Sequence, residues 1–328
     1  MYGQVKLPCL CAYTRVDRPT SPPLPPSPIT AELYRRVTLD PNLPSGCPFR
    51  PFDFESEGET PKPGTILGID AEFVALAPPV KEVQPDGEEI VVQPMRLGLA
   101  RVSVVRGDAG PRRLVPVIDD YIRAVEPVYD YLTRFSGLVP GDLDPATSAH
   151  HITKLKHAYL KLRYLVDCGC IFVGHGLKQD FKMINIVVPP AQIVDTVELF
   201  HFKRQRKLSL RFLASYLLSI DIQQETHDSI EDARTAVRLY EKYLELVEAG
   251  NFQSKLLEIY RFGKQYGFTG EKRPDNVGAA AASAGSSEPP ATTIDRSMST
   301  ATMAEILPPK PADPPPPPPP PRPPPPRG

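Results

Sequence analysis

The stretch PGTILGIDAEFVAL, Pro63 to Leu76, has the β-branched and apolar character of a buried strand, yet Asp70 and Glu72 interrupt it. Side chains alternate along a strand, so the two acids share one face while Ile69, Ala71 and Phe73 share the other. On that geometry their Cβ atoms stand roughly 6.5 to 7 Å apart. Two carboxylates so placed in an apolar sheet repel each other and lose hydration, and a divalent cation removes both penalties. Donor sets made only of oxygen favour magnesium or manganese over zinc.

Working outward, the acidic, proline-bearing ESEGETPKPG (Glu55 to Gly64) marks a boundary, and from Thr65 to Gly250 the periodicities alternate. Strands are expected at Ile66 to Val74, Arg96 to Val105, Leu114 to Ile118, Cys170 to Gly174 and Ile193 to Val194. Helices fit HITKLKHAYLKLRYLVDCG from His151 and LSLRFLASYLLS from Leu208. A third helix opens with a capping box, Asp228 at the N-cap and Glu231 three residues on. Its inward face is expected to carry Ile230, Ala233, Val237, Tyr240, Leu244 and Val247. A further helix is expected in FQSKLLEIYRFGKQYGF. Three strands followed by alternating helices and strands predict one α/β domain with a mixed sheet and a meander at its start.

Residues 1–50 offer a strand at Val5 to Tyr13, a proline linker and a short helix in ITAELYRRV, too little to bury a core of their own. The 42 prolines cluster at Arg18 to Pro28 and at the C-terminal end, where PPPPPPPPRPPPPRG reads as unpacked polyproline. The expected division is therefore 1–50, a linker at 51–63, the α/β domain at 64–268 and a disordered tail at 269–328.

A net charge of −1 gives no global pull on nucleic acid, so such affinity has to come from a local patch or a bound metal. Five cysteines, Cys9, Cys11, Cys47, Cys168 and Cys170, do not make a disulfide framework. With no signal-peptide core at the start, they suggest a reducing, cytoplasmic setting. Their C-x-C spacing is not the usual zinc pattern, and Cys168 and Cys170 read as thiols at the entry to an apolar strand. No apolar run of membrane-spanning length occurs.

More acids join the first two. Asp180, in GHGLKQDF, follows the strand CIFVGH near its carboxyl end, where open α/β sheets build sites. Asp232 lies one turn inside the helix capped by Asp228, with His227 immediately before the cap. His175 is expected to fix its turn by hydrogen bonds, Asp195 to cap a helix, and Asp119 and Asp120 to end a strand in solvent.

GIDAEFV, VGHGLKQDF and HDSIEDA resemble, in order and in kind, the three motifs of the DEDDh 3′–5′ exonucleases, a ribonuclease H-like superfamily. KPGTILGIDAEFVAL, VDTVELFHFKRQRKLSLRFLA and QQETHDSIEDARTAVRLYEKY resemble most the catalytic subunits of the poly(A)-nuclease deadenylation complex. The resemblance covers about residues 62 to 268. It implies a ribonuclease H-like mixed sheet of five strands flanked by helices. It implies also that residues 1–50 are the remnant of an upstream ubiquitin-hydrolase-like module, the chain being a C-terminal fragment.

Carried over by position, the resemblance makes Asp70, Glu72, Asp180 and Asp232 the ligands of two divalent ions, Mg²⁺ or Mn²⁺. Asp70 bridges them, Glu72 and Asp232 help hold the first, and Asp180 supports the second. His227 becomes the general base, since an imidazole titrates near neutral pH. The implied reaction releases 5′-AMP from the 3′ end of poly(A) RNA. The implied partners are a pseudokinase-like regulatory subunit and, through it, poly(A)-binding protein.

The run HFKRQRK supplies Lys203, Arg204, Arg206 and Lys207 for phosphate contacts, with a plain solvated loop as the alternative. Two other functions stand beside deadenylation. One is a general exonuclease acting on DNA or short oligoribonucleotides. The other is an inactive scaffold whose proline tail binds aromatic-lined domains.

Overall fold

The computed structural model describes residues 29–38, 47, 49, 50, 52, 54 and 59–269. The strand expected at Val5 to Tyr13, the proline cluster ending at Pro28 and the tail from residue 270 lie outside the described residues. A short helix α1 (Ala31–Thr38) precedes β1 (Ile66–Ala77), which carries both acids. There follow an exposed hairpin of β2 (Val80–Val83) and β3 (Glu89–Gln93), then β4 (Arg96–Arg106) and β5 (Pro116–Ile122). After the single turn α2 (Thr133–Ser136) come β6 (Ile152–Thr153), α3 (Leu155–Asp167), β7 (Ile171–Gly174) and α4 (Leu177–Ile184). Strand β8 (Ile193–Asp195) leads through α5 (Thr196–Leu199) to α6 (Leu210–Leu213), which widens into a π turn over Ala214–Leu218. The chain then forms the long helices α7 (Ser229–Glu248) and α8 (Phe252–Tyr266).

The main sheet runs β6-β5-β4-β1-β7-β8. Strands β1, β4 and β5 form the expected antiparallel meander, and β7 and β8 add in parallel beside β1. All five expected strands are present, and β6 is a sixth. Periodicity places Ile152 in a helix, but Ile152 and Thr153 instead pair with Tyr121 and Ile122 at the sheet edge. Free backbone groups of β5 outcompete a first helical turn there: Tyr121 N–H donates to His151 O and Arg123 N–H to Thr153 O. The β2–β3 hairpin is absent from the sequence reading. Its valines are exposed and bury nothing, so only the turn at Pro85-Asp86-Gly87 announces it.

Alternation along β1 sorts the core. Leu67, Ile69 and Ala71 face α3 and α4, packing with Leu162, Leu165 and Phe181. On the opposite face Val105 and Val173 meet Ala233 and Val237 of α7. Gly68 permits that approach, because a Cβ there would lie 2.6 Å from Val237 and 2.8 Å from the Ala233 carbonyl. Helix α7 therefore lies directly on the face that carries Asp70 and Glu72. Tyr240 keeps to the expected stripe beside Val237, but Leu244 and Val247 are exposed, while Leu239 joins an aromatic cluster with Phe200, Phe212 and Tyr260. Helix α1 packs on α3 through Tyr34 and Tyr164, whose rings are 4.8 Å apart. Among the described residues no helix is long and apolar enough to cross a membrane.

Candidate active site

Three of the four expected acids meet. Carboxylate oxygens of Asp70, Glu72 and Asp232 all lie within 4.8 Å of one another. Asp70 and Glu72 come from β1, opposite Ser103 and Arg101 of β4, and Asp232 comes from the first turn of α7. Asp180 is not in that set. It is buried in the first turn of α4, from which its charge adds to the repulsion felt by Asp70 and Glu72.

The electrostatics follow from this crowding. Burial first, then the charges of Glu72, Asp232 and Asp180, push the Asp70 carboxyl well above the usual carboxylate range. Burial and the Asp232 charge raise Glu72 to about 8 against the pull of Arg101, and burial raises Asp180 to about 7. Glu72 Oε1 and Asp232 Oδ1 are buried with no hydrogen-bond partner. Buried carboxylate oxygens without donors are costly, and hard oxygens clustered so tightly suit a divalent cation, so the residues fit the metal that the sequence implies.

His227 stands over the cluster, its Nδ1 3.5 Å from Asp232 Oδ2. Asp228 fixes it there: one carboxylate oxygen accepts from the N–H groups of Ile230 (2.8 Å) and Glu231 (3.1 Å), as its N-cap position predicts. The reciprocal half of the capping box is not formed, because Glu231 accepts from the Gln223 N–H instead. Gly137, at φ +67°, lets the turn after α2 press on the histidine, since a Cβ there would lie 2.3 Å from the His227 carbonyl. The neighbouring Phe135 ring is exposed and edge-on to the imidazole at 6.2 Å.

The model of the RNase T family, described as exonuclease, matches residues 67–240, more than half of the chain. The chain belongs to this exonuclease family. It is 54% identical over 222 residues to the PAN2-PAN3 deadenylation complex catalytic subunit PAN2 of Chaetomium globosum, covering 67% of this chain and 20% of that protein. The human subunit of the same name is 51% identical over 211 residues, covering 63% of this chain and 18% of its own length. The chain thus spans about a fifth of the length of the curated relatives it matches. Among solved structures, it is similar to the Neurospora crassa Pan2 catalytic unit (45% identity, TM-score 0.60, 69% of this chain and 34% of that one). It is similar also to the Saccharomyces cerevisiae Pan2 pseudoubiquitin hydrolase-RNA exonuclease module in complex with A7 RNA (41% identity, TM-score 0.61, 71% and 36%).

In this chain His175 and Asp195 behave as the sequence suggests. His175 Nδ1 lies 2.9 Å from the Thr196 hydroxyl, which itself donates to the Gly174 carbonyl, and burial lowers the imidazole to about 4. Asp195 caps α5 through the Val197 N–H and accepts from Gly176 N–H. Asp119 and Asp120 depart from the expectation of solvated strand ends, because β5 runs on into the core, where β4 and α3 each bring a buried cation to one of them. Asp119 accepts two hydrogen bonds from the Arg101 guanidinium, and Asp120 accepts two from Lys161 Nζ. Burial alone would raise the Asp120 carboxyl, yet Lys161 and His151 hold it below the ordinary range.

The basic run divides. Lys207 pairs with Glu198, Arg206 lies over the Phe268 ring at 4.6 Å, Arg204 sits at φ +67° in the exposed turn, and Lys203 faces α8. Sequence reasoning passes over Arg101, whose place opposite Glu72 follows from strand register alone. It passes over Gln223 too, the first residue of the QQETHDSIEDA run, which donates to Asp232 Oδ2 at 2.6 Å with nothing local to mark the contact.

Proposed function

We propose that this chain is a metal-dependent 3′–5′ exoribonuclease that shortens poly(A) tails and releases 5′-AMP. The observation that carries the reading is the trio Asp70, Glu72 and Asp232, the first half-buried and the other two buried, with two orphaned carboxylate oxygens and His227 at its rim. The family match and the relatives named for deadenylation support it.

Asp70, Glu72 and Asp232 would hold the divalent ions, with Asp180 serving a second one; Mg²⁺ and Mn²⁺ suit these donors. When bound, such ions stabilise charge on the phosphodiester undergoing in-line displacement. His227 turns Nδ1 toward Asp232, which leaves Nε2 to take the proton of the attacking water. Gln223 and the Asp228 cap hold the acid and the imidazole in their places, so the proton acceptor is oriented before substrate arrives. Lys203, Arg204, Arg206 and Lys207 would meet the phosphate backbone. By the same resemblance the chain would work in the cytoplasm with a pseudokinase-like regulatory subunit and poly(A)-binding protein.

The test compares 5′-labelled oligoadenylate, mixed-sequence RNA and DNA of equal length, with Mg²⁺, with Mn²⁺ and with chelator. Stepwise shortening of oligoadenylate, abolished by chelator and at least tenfold slower on DNA, is expected. Equal rates on DNA would make it a general exonuclease, and degradation in chelator would remove the metal.

A further inference from the structure

The loop after α5 and helix α8 together form a cationic groove of which the sequence run displays only one wall. Phe202 and Lys203 from the loop, with Leu257, Tyr260, Arg261 and Lys264 from α8, enclose a cavity of about 370 Å³. On α8 the positions 257, 261 and 264 fall on one stripe by helical spacing, so both cations face the loop. No carboxylate lines the groove. Its shape is set in advance: the Tyr260 hydroxyl donates to the Arg206 carbonyl at 2.8 Å, and the Phe202 and Tyr260 rings sit 5.3 Å apart.

The groove is also tied to the acid cluster. The far end of the same loop lies against α5, where Lys207 pairs with Glu198, and Thr196 of that helix touches His175, on whose charge both Asp232 and Lys207 act. Four residues of chain cover at most about 14 Å, so Lys203 lies within that distance of Lys207. Tyr260 is buried and Phe202 half-buried, so the exposed part of the lining is Lys203, Arg261 and Lys264 with Gln205 and Leu257, rather than aromatic face.

We propose that this groove binds the phosphate backbone of single-stranded RNA a few nucleotides upstream of the 3′ end being cleaved. The proposal rests on the nuclease reading above and adds Arg261 and Lys264, which lie more than fifty residues from the basic run. A groove whose charged groups are all cations grips the phosphates of every sequence alike, so it supplies grip and processivity.

The test uses the double variant Arg261→Glu, Lys264→Glu, both at exposed positions, checked for folding by circular dichroism. Turnover of oligoadenylate trimers and 20-mers is measured with Mg²⁺, and anisotropy of a labelled 20-mer in chelator is followed against salt. The expected result is a KM on the 20-mer raised about tenfold, an unchanged trimer rate, and a salt slope shallower by about 1.4 for two lost single-strand contacts. An unchanged 20-mer KM and slope would overturn the groove, as would equal losses on trimer and 20-mer. Displacement of the 20-mer by polyglutamate as readily as by unlabelled RNA would overturn it in favour of an acidic peptide. If the unsubstituted chain cleaves neither length yet binds the 20-mer with a slope that the variant lowers, the groove stands and the nuclease reading fails.

Discussion

Glu72 on β1 stands directly opposite Arg101 on β4, so the cation that moderates the acid cluster is fixed by the register of two strands. Arg101 is buried, and Asp119 holds its guanidinium from behind through hydrogen bonds of 2.8 and 3.2 Å. Its third arm reaches Asp228, the cap of α7, at 3.5 Å. Arg101→Met strands Asp119 as a buried, unpaired charge and should cost about 3–5 kcal/mol of stability. Urea unfolding measures this, and a loss under about 1 kcal/mol would show that the pair is not what orders this end of the helix. Arg101→Lys should recover little, because an ammonium cannot make the planar two-point contact.

Gly68 sets the distance between α7 and the sheet. In Gly68→Ala the new methyl meets Val237, the Ala233 carbonyl and Val105, all within 2.8 Å, and two of the three belong to α7. Overpacking of this kind costs about 1–3 kcal/mol. The helix carries Asp232 outward with it, so activity should fall about a hundredfold while the fold persists. Activity within twofold of the unsubstituted chain would show that the acids tolerate a looser approach.

In chelator the acid cluster should make stability fall as pH rises. Glu72 goes from an ordinary 4.5 to about 8 on folding, and Asp70 and Asp180 are raised as well, so the folded chain binds more protons than the unfolded one between those values. Stability from these groups is complete below about 4.5 and lost as pH rises through about 8. Glu72→Gln should flatten the fall in Tm between pH 5 and 8, and Mn²⁺ should raise Tm most at the upper end, where the ligands are deprotonated. An identical pH slope in Glu72→Gln would show that the carboxylate is solvated.

The strand that carries Asp70 and Glu72 was legible because two acids break an otherwise apolar alternation, a local signal that no tertiary contact has to supply. The cap at Asp228 was legible for the same reason: its partners are two and three residues away. Asp119 and Asp120 were misjudged as solvated because their partners, Arg101 and Lys161, lie 18 and 41 residues off. A buried acid with a distant cation looks like a surface acid in one dimension. The edge strand at Ile152 and Thr153 was hidden because apolar spacing there suits a helix equally well, and β5 decided between them. Arg261 and Lys264 were invisible as partners of Lys203 because only the fold brings α8 against that loop.

The most direct measurement is the rate of 5′-AMP release from oligoadenylate by the unsubstituted chain, Asp70→Asn and His227→Asn, alongside Mn²⁺ affinity by calorimetry. Asp70→Asn should lose at least about a thousandfold in rate and tenfold or more in Mn²⁺ affinity. His227→Asn should lose about a hundredfold or more in kcat with Mn²⁺ affinity unchanged. Full activity and undiminished Mn²⁺ binding in Asp70→Asn would contradict the account at its centre.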